Sequence, residues 1–246
     1  MNTAALCLQI DVGNSGAKWR LVEADRVVER GRYMVSDEAS RQALLGCTET
    51  LGQILVSSVA AADADRDLAD ALVDQWGVQP WFARTPAQTG DLVNSYAEPG
   101  RMGVDRWLAM LAARQRVAGR LCVVDAGSAL TIDLIAASGQ HQGGYIIPGP
   151  ALMERALLLD TDRVRFDEAP DYALGPGTST AEAVRHGIAL AQAGAVLLAL
   201  EQDKADPPTL FFCGGGGETL MKLLDRGGEW LPDLVFDGLG VMAQSQ

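Results

Sequence analysis

Short apolar runs alternate with amphipathic stretches along the chain, a pattern typical of an α/β protein. The first 35 residues predict a meander of three strands, in the segments LCLQID, AKWRLVEA and VVERGRYMV. Later strands are predicted at residues 54–59, 78–82, 121–137, 143–149, 209–213 and 234–236. Helices are predicted at residues 36–45 (with Ser36 as N-cap), 65–76, 103–117, 151–159, 181–200, 218–224 and 238–243. Long polar connections remain at residues 83–103 and 161–180.

One short motif occurs once in each half of the chain. The sequence DVGN at 11–14 follows the first apolar strand, and DAGS at 125–128 follows an apolar strand about half the chain length later. A repeated strand-to-turn unit indicates a duplicated architecture. We therefore predict two α/β halves, residues 1–118 and 119–246, that face each other across a central cleft.

The first of these turns has the residue types that bind a nucleoside triphosphate. Gly13 allows close approach of the backbone to a ligand, Asn14 and Ser15 offer side-chain donors, and Lys18 adds a positive charge. Asp11 is placed to hold a hydrated Mg²⁺, which takes oxygen ligands and keeps several waters. The alternative interpretation is a β-hairpin with an ordinary polar turn, because short motifs often match by chance.

The composition of the chain argues against several classes of function. The net charge of −12 and the absence of a Lys/Arg run argue against a nucleic-acid-binding protein. Four cysteines without a C-x-x-C pair, together with two histidines, argue against a zinc site. No basic region followed by an apolar segment starts the chain, and the apolar helical stretch 188–200 contains Gln192 and is too short to span a bilayer. We expect a cytoplasmic protein that is not bound to a membrane.

Several polar positions each allow two interpretations. Tyr96 could anchor the surface of its loop or contact a ligand. Asp105 could be an N-cap or a general base, and Arg106 could hold a carboxylate or a phosphate. One hydroxyl of the cluster 178–180 must cap the following helix. The glycine run 214–217 suits either a sharp turn or close approach of a phosphorylated ligand.

Together these motifs resemble one family in order along nearly the whole chain. The matching stretches are DVGNSGAK at 11–18, Tyr96 with GVDRW at 103–107, VVDAGSALTID at 123–133, GGYIIPG at 143–149 and the helix entry at Thr180. The chain resembles the type III pantothenate kinases of the acetate and sugar kinase/Hsp70/actin superfamily. The resemblance implies an α/β fold with two ribonuclease-H-like (actin-like ATPase) halves, ATP in the cleft, and a homodimer whose interface helps form the pantothenate pocket.

The resemblance also implies roles for individual residues. ATP would be bound by Asp11, Val12, Gly13, Asn14, Ser15, Gly16, Ala17, Lys18 and Ser128. Pantothenate would be contacted by Tyr96, Gly103, Val104, Asp105, Arg106 and Thr180. Asp105 would be the catalytic base, Asp11 would hold Mg²⁺, and Asp125 would hold a monovalent cation, K⁺ or NH₄⁺. The family usually has Thr at Ser128 and often at Ser15, and both changes keep the hydroxyl.

The implied function is ATP-dependent phosphorylation of pantothenate to 4'-phosphopantothenate, the first step of coenzyme A biosynthesis. Two alternatives stay open at this point. One is a non-catalytic transcriptional regulator similar to Bvg accessory factor, against which the acidic charge and the presence of Asp11, Lys18 and Asp105 speak. The other is a different phosphotransfer enzyme of the superfamily, such as a sugar kinase or phosphatase, because fold does not fix function.

Overall fold

The computed structural model describes residues 6–14, 16–24, 26–34, 36–201 and 206–245. The chain divides into two compact units. Unit 1 comprises Met1–Thr89, Tyr96–Ala112 and Leu234–Gln246, and unit 2 comprises Gly90–Ser95 and Ala113–Asp233. The predicted division after residue 118 remains a proposal, and the C-terminal residues group with unit 1.

The regular elements follow one another in this order. The strands are β1 (Cys7–Gly13), β2 (Gly16–Glu23), β3 (Arg26–Tyr33), β4 (Gln53–Ser58), β5 (Trp81–Phe82), β6 (Gln88–Thr89), β7 (Leu92–Val93), β8 (Leu121–Ala126), β9 (Ala129–Ile135), β10 (His141–Pro148), β11 (Thr209–Cys213) and β12 (Glu229–Trp230). The helices are α1 (Glu38–Leu45), α2 (Ala62–Trp76), α3 (Val104–Arg116), α4 (Pro150–Asp160), α5 (Thr180–Leu200), α6 (Gly217–Leu224) and α7 (Leu234–Gln244). A 3₁₀ turn covers Pro99–Arg101.

Unit 1 is built on a five-stranded sheet in the order β3-β2-β1-β4-β5. The β1–β2 and β2–β3 pairs are antiparallel, whereas β4 runs parallel to both β1 and β5. Apolar residues of β1, β2 and β4 form one core with α1 and α2, centred on Ile10, Trp19 and Leu72. The carboxyl ends of β1 and β4 therefore lie at one edge of the sheet, which is where α/β folds place ligands.

Unit 2 repeats the strand order of unit 1. Its sheet runs β10-β9-β8-β11-β12, with two antiparallel pairs followed by two parallel pairs. Its core combines Val124, Ile132 and Phe212 of the sheet with Ala193 and Val196 of α5. The duplication predicted from the two Asp-x-Gly motifs is confirmed, because each motif lies at the carboxyl end of the central strand of its own sheet.

Several predicted boundaries are wrong. Residues 234–236 are the start of α7 and not a strand, since Leu234, Phe236 and Leu239 are buried at helical spacing. A short apolar run cannot be assigned to helix or strand by periodicity alone. The strand predicted at 78–82 shortens to β5. The N-cap of α1 is Asp37, whose carboxylate accepts the Ala39 N–H at 3.1 Å, and not Ser36.

The apolar stretch 188–200 forms the second part of α5, which matches the helix predicted at 181–200 to within one residue. Helix α5 has 21 residues and is long and apolar enough to cross a membrane by length and composition, although one such helix is weak support for a span. The expectation concerned residues 188–200 alone, whereas the whole of α5 has the length of a membrane span. Ala193, Val196 and Ala199 pack in the core of unit 2, whereas Leu190 and Leu198 are exposed.

Candidate active site

The centre of the site in unit 1 is Asp11, near the carboxyl end of β1. The strand register pairs Asp11 with Ser57 of β4 on one side and with Lys18 of β2 on the other. The Ser57 hydroxyl is fully buried and donates a hydrogen bond to Asp11 Oδ1 at 2.9 Å. Sequence reasoning did not single out Ser57, although a serine ending a buried strand beside the Asp-x-Gly strand was a usable signal.

The charge state of Asp11 is set by its surroundings. Burial raises the pKa of the Asp11 carboxyl from 3.8 to about 6, the hydrogen bond from Ser57 lowers this pKa, the charge of Asp105 raises it and that of Lys18 lowers it. Asp105 therefore lies close enough to Asp11 for the two carboxylates to repel each other. A cation bound beside them would offset both the burial and the repulsion.

The turn after Asp11 combines exposed polar groups with tightly held backbone. Asn14 and Lys18 are exposed, and Ala17 is buried in the core of unit 1. The carbonyl of Val12 accepts the N–H of Val59 at 3.1 Å, which fixes the end of β1 against the end of β4. Ser15, a predicted ATP contact, lies outside the described residues. The turn thus presents its polar side to solvent and its apolar side to the core.

Helix α3 begins at the second carboxylate. Gly103 occupies the N-cap position, because its carbonyl accepts the first helical bond, from the Trp107 N–H at 3.3 Å. The interpretation of Asp105 as the N-cap is therefore wrong. Asp105 lies in the first turn, where its Oδ1 accepts the N–H of Arg106 at 2.8 Å. Val104, another predicted contact, is buried, so only its backbone is available to a ligand.

Gly103 is needed for this placement of Asp105. A Cβ at position 103 would lie 2.6 Å from Asp105 Oδ1. Only glycine leaves room for the carboxylate to fold back over the start of α3. The backbone at Gly103 and the position of the carboxylate are thus coupled.

Arg106 and Tyr96 form a polar pair beside Asp105. Arg106 is only 6% exposed and donates from Nη1 to the Tyr96 hydroxyl at 2.9 Å. Its guanidinium also lies 5.8 Å from the centroid of the Tyr96 ring. A buried guanidinium with planar donors is suited to a carboxylate or phosphate. The Tyr96 hydroxyl is therefore hydrogen-bonded to the segment that is predicted to bind substrate. The interpretation of Tyr96 as an anchor of its surface loop does not explain this hydrogen bond.

Unit 2 contains the matching turn at Asp125. Gly214, at a φ of +77°, passes so close that a Cβ would lie 2.3 Å from Asp125 Oδ1. The Gly216 N–H donates to the Ala126 carbonyl at 2.9 Å, and Ser128 is exposed. The glycine run 214–217 thus packs against the Asp125 turn. Carboxylate and carbonyl oxygens are concentrated there, and these are the ligands that hard cations prefer.

The entry of α5 settles the role of its hydroxyl cluster. Ser179 is the N-cap and accepts the Glu182 N–H at 3.2 Å, while the Glu182 carboxylate accepts the Thr178 N–H at 2.7 Å. This pair of hydrogen bonds resembles a capping box, in which the acidic side chain normally accepts the N–H of the N-cap residue. Here Glu182 accepts the N–H of Thr178, one residue earlier. Thr180 is the first helical residue, is exposed, and takes no part in these bonds. Its hydroxyl is therefore available for a ligand.

The side chains around Asp11 could hold a divalent ion only with the help of other ligands. No group of three or more His, Cys, Asp and Glu side chains that could hold a metal occurs in the part of the chain that the structure describes. Mg²⁺ in kinase sites is commonly held by one or two carboxylates plus substrate phosphates. The half-buried Asp11 carboxylate, with its raised pKa and with Asp105 nearby, fits an ion of this kind.

Comparison with known proteins identifies the class and then the family. A Sinorhizobium meliloti protein described as a 2-dehydro-3-deoxygalactonokinase superposes with a TM-score of 0.61 at 15% identity, covering 96% of this chain and 98% of that one. The predicted class, an α/β protein of the sugar kinase and actin-like ATPase fold, is confirmed. Residues 7–202 match the family model of type III pantothenate kinases. The type III pantothenate kinase of Hahella chejuensis is 37% identical over 238 residues, which cover 97% of each chain. The chain belongs to the type III pantothenate kinase family.

The regulator alternative gains no support from these comparisons. A Campylobacter jejuni protein described as a Baf family transcriptional activator superposes with a TM-score of 0.62 over 96% of this chain and 97% of that one. Its identity to this chain is 23%, a level at which the likeness concerns the fold alone. Family membership makes the chain a phosphotransferase that uses ATP and a divalent metal ion.

Proposed function

We propose that this protein transfers the terminal phosphoryl group of ATP to the primary hydroxyl of pantothenate, forming 4'-phosphopantothenate in the first step of coenzyme A biosynthesis. The observation that carries the proposal is the electrostatic coupling of Asp11 and Asp105, with Lys18 beside Asp11, in a chain of this family. One carboxylate serves the metal and nucleotide, and the other serves the acceptor hydroxyl.

We propose nucleotide contacts for residues of each Asp-x-Gly turn, taken one unit at a time. In unit 1, the proposed ATP contacts are Asp11, Val12, Gly13, Asn14, Ser15, Gly16, Ala17 and Lys18. In unit 2, the exposed Ser128 contacts ATP. Asp11 holds Mg²⁺, which when bound offsets the charge on the phosphate oxygens. Lys18 and the turn N–H groups hold those oxygens in place, since phosphoryl transfer depends mostly on positioning and charge stabilisation.

Pantothenate is held at the start of α3. Asp105 accepts the proton of the attacking hydroxyl as the phosphorus–oxygen bond forms. Arg106, kept in place by the Tyr96 hydroxyl, binds the pantothenate carboxylate through charge-assisted hydrogen bonds. The backbone of Gly103 and Val104 and the exposed hydroxyl of Thr180 supply further contacts.

A monovalent cation, K⁺ or NH₄⁺, is proposed at Asp125. The support is the close packing of Gly214 against the Asp125 carboxylate, together with the backbone carbonyl of Ala126 beside it. Such an ion would neutralise a half-buried carboxylate next to the nucleotide-binding turn.

We also propose a homodimer that works in the cytoplasm on ATP and pantothenate. Unit 2 exposes apolar side chains on neighbouring elements, and α4 contacts α5. These side chains are Tyr145 and Ile146 of β10, Leu152, Leu157 and Leu159 of α4, and Leu190 and Leu198 of α5. We call them the unit 2 apolar surface. The proposal is supported by the exposure of several apolar side chains on the contacting helices α4 and α5.

The direct test is an assay of the purified protein with ATP, Mg²⁺, K⁺ and pantothenate. The expected result is stoichiometric formation of ADP and phosphopantothenate, detected by mass spectrometry. Parallel incubations with hexoses in place of pantothenate distinguish the sugar-kinase alternative. ATP turnover with a sugar, but not with pantothenate, would contradict the proposed function.

A further inference from the structure

A row of polar side chains crosses the sheet of unit 1 at the level of Asp11. The register places Ser57 beside Asp11 on β4, Lys18 beside Asp11 on β2, and Arg32 of β3 directly opposite Lys18. Directly opposed residues on antiparallel strands have Cβ atoms about 4.5–5.5 Å apart, with their side chains on the same face. A hydroxyl, a carboxylate, an ammonium and a guanidinium therefore follow one another across four strands.

The neighbouring positions of Lys18 and Arg32 need an explanation. Like charges directly opposite each other destabilise a sheet. Both side chains are exposed, and in the described part of the chain neither forms an ion pair, apart from the longer-range attraction of Lys18 to Asp11. Arg26, at the other end of β3, pairs with Glu23 at 3.4 Å. Two opposed cations in a chain of net charge −12 are the arrangement expected where an anion binds.

We propose that Arg32 is a further nucleotide-binding residue that holds the β- and γ-phosphate oxygens together with Lys18. The inference rests on the proposed function for the identity of the anion as ATP. The guanidinium supplies a planar pair of donors that matches a phosphate group, whereas the ammonium of Lys18 acts as a point charge. Lys18 lies between Arg32 and Asp11, so the two cations extend the phosphate site away from the metal-binding carboxylate.

The test compares nucleotide binding by calorimetry, without pantothenate, in wild type, Arg32→Gln, Arg32→Lys and Arg26→Gln. For Arg32→Gln we expect affinity to fall about tenfold for ATP, less for ADP and not at all for AMP, because only the terminal phosphates meet the guanidinium. The salt dependence of ATP binding should also become less steep. Arg32→Lys keeps the charge and should lose less affinity. Arg26→Gln is the matched control on the same strand and should bind as wild type does.

Each other outcome has a definite meaning. Wild-type ATP affinity in Arg32→Gln would overturn the assignment, and so would an equal loss for ATP, ADP and AMP, which indicates a structural effect. Thermal melts of both Arg32 variants show whether the fold is intact, and Arg32→Lys carries the comparison if Arg32→Gln does not fold. A third outcome separates the two proposals. If the wild-type protein binds ATP, Arg32→Gln binds it more weakly, and the wild-type protein does not phosphorylate pantothenate, then the proposed function fails while Arg32 remains a phosphate-binding residue.

Discussion

The chemistry proposed here depends on two carboxylates with different tasks. Asp11 is half-buried and accepts a hydrogen bond from Ser57, and its surroundings raise its pKa to about 6. Asp105 lies in the first turn of α3, where a negative charge is favoured by the helix dipole. The two carboxylates thus lie in different places, and we assign the metal to Asp11, beside Ser57 and Lys18, and the proton of the acceptor hydroxyl to Asp105, at the start of α3.

Replacing Asp105 by Asn separates its structural and chemical roles. The Asn side chain can still accept the Arg106 N–H, so melting temperature and ATP binding should change little. Without a base, kcat should fall by about 10²–10⁴-fold, with the low end plausible because positioning dominates phosphoryl transfer. The measurement is kcat with a thermal melt, using the exposed Glu98→Gln as a matched control. A stable Asp105→Asn enzyme with near-normal turnover would show that the base lies elsewhere.

Replacing Ser57 by Ala should change the pH dependence of the reaction. The hydrogen bond from Ser57 lowers the pKa of Asp11, so its loss should raise that pKa above about 6. Fewer molecules then carry ionised Asp11 just above pH 6, and the acid limb of kcat/KM for ATP should move to higher pH. Ser57→Thr keeps the hydroxyl and should restore the wild-type profile. Superimposable profiles for wild type and Ser57→Ala would remove Ser57 from the account.

The same raised pKa has a consequence for stability, with a defined sign. Between the ordinary carboxyl pKa of 3.8 and the folded value of about 6, the folded state binds more protons at Asp11 than the unfolded state does. Its contribution to stability is fully present below pH 3.8 and is lost as pH rises through about 6. Above about pH 6, where Asp11 is ionised in the folded state, a bound cation would offset the cost of burying that charge.

At the scale of elements, the C-terminal helix supports the helix that carries the site. A Cβ at Gly238 of α7 would lie 2.0 Å from the Leu108 carbonyl of α3, so the two helices cross at backbone contact distance. Gly238→Ala should therefore destabilise the protein by about 1–3 kcal/mol through overpacking. Gly240→Ala, with Gln9 Nε2 at 3.6 Å as its nearest neighbour, should be neutral or stabilising by up to about 1 kcal/mol. Denaturant titration of both variants checks this, and equal stabilities would contradict it.

The turn after β8 carries a separate prediction about cations. We expect the rate to be higher in K⁺ or NH₄⁺ than in Na⁺ at matched ionic strength. Gly214→Ala should abolish this difference, since its Cβ would displace the Asp125 carboxylate and its φ of +77° disfavours other residues. Gly215→Ala, which has open space around it, is the matched control. Equal wild-type rates in K⁺ and Na⁺ would rule out the proposed cation site.

Elements with a strong pattern could be predicted from the sequence, whereas contacts set by packing could not. The meander at the N-terminus, the helix ending at Gly77 and the duplicated turns followed from periodicity and glycine position. The start of α7 could not be distinguished from a strand, because its first residues are apolar and its partner α3 is distant in sequence.

The candidate site likewise combines features that the sequence predicts with features that it does not. The Asp-x-Gly turns and the GVDRW segment were visible as motifs. The bond from Ser57, the N-cap at Gly103 and the opposition of Arg32 to Lys18 depend on strand register and backbone position, which no single stretch of sequence reveals.

At the scale of the whole molecule, the remaining question is what covers the unit 2 apolar surface. Helix α5 packs its small residues inward and leaves Leu190 and Leu198, at 60% and 68% exposure, facing outward. Leu159 of α4 and Ile146 of β10 are exposed to 67% and 64%. This much apolar exposure in one unit is costly in water and favours association of two copies.

Association should therefore be required for full activity. We expect light scattering to give a dimer at assay concentration, and Leu190→Glu with Leu198→Glu to give a monomer with the fold of unit 2 intact, because both side chains lie outside its core. Pantothenate turnover should fall in that variant far more than ATP binding, if the partner subunit completes the pantothenate pocket. Val28→Glu, at an exposed apolar residue of unit 1, is the matched control and should remain a dimer.

Vesicle flotation of the wild-type protein tests whether a lipid bilayer covers this surface, since α5 is long and apolar enough to enter one. A fully active wild-type monomer would show that each chain forms its pantothenate pocket alone.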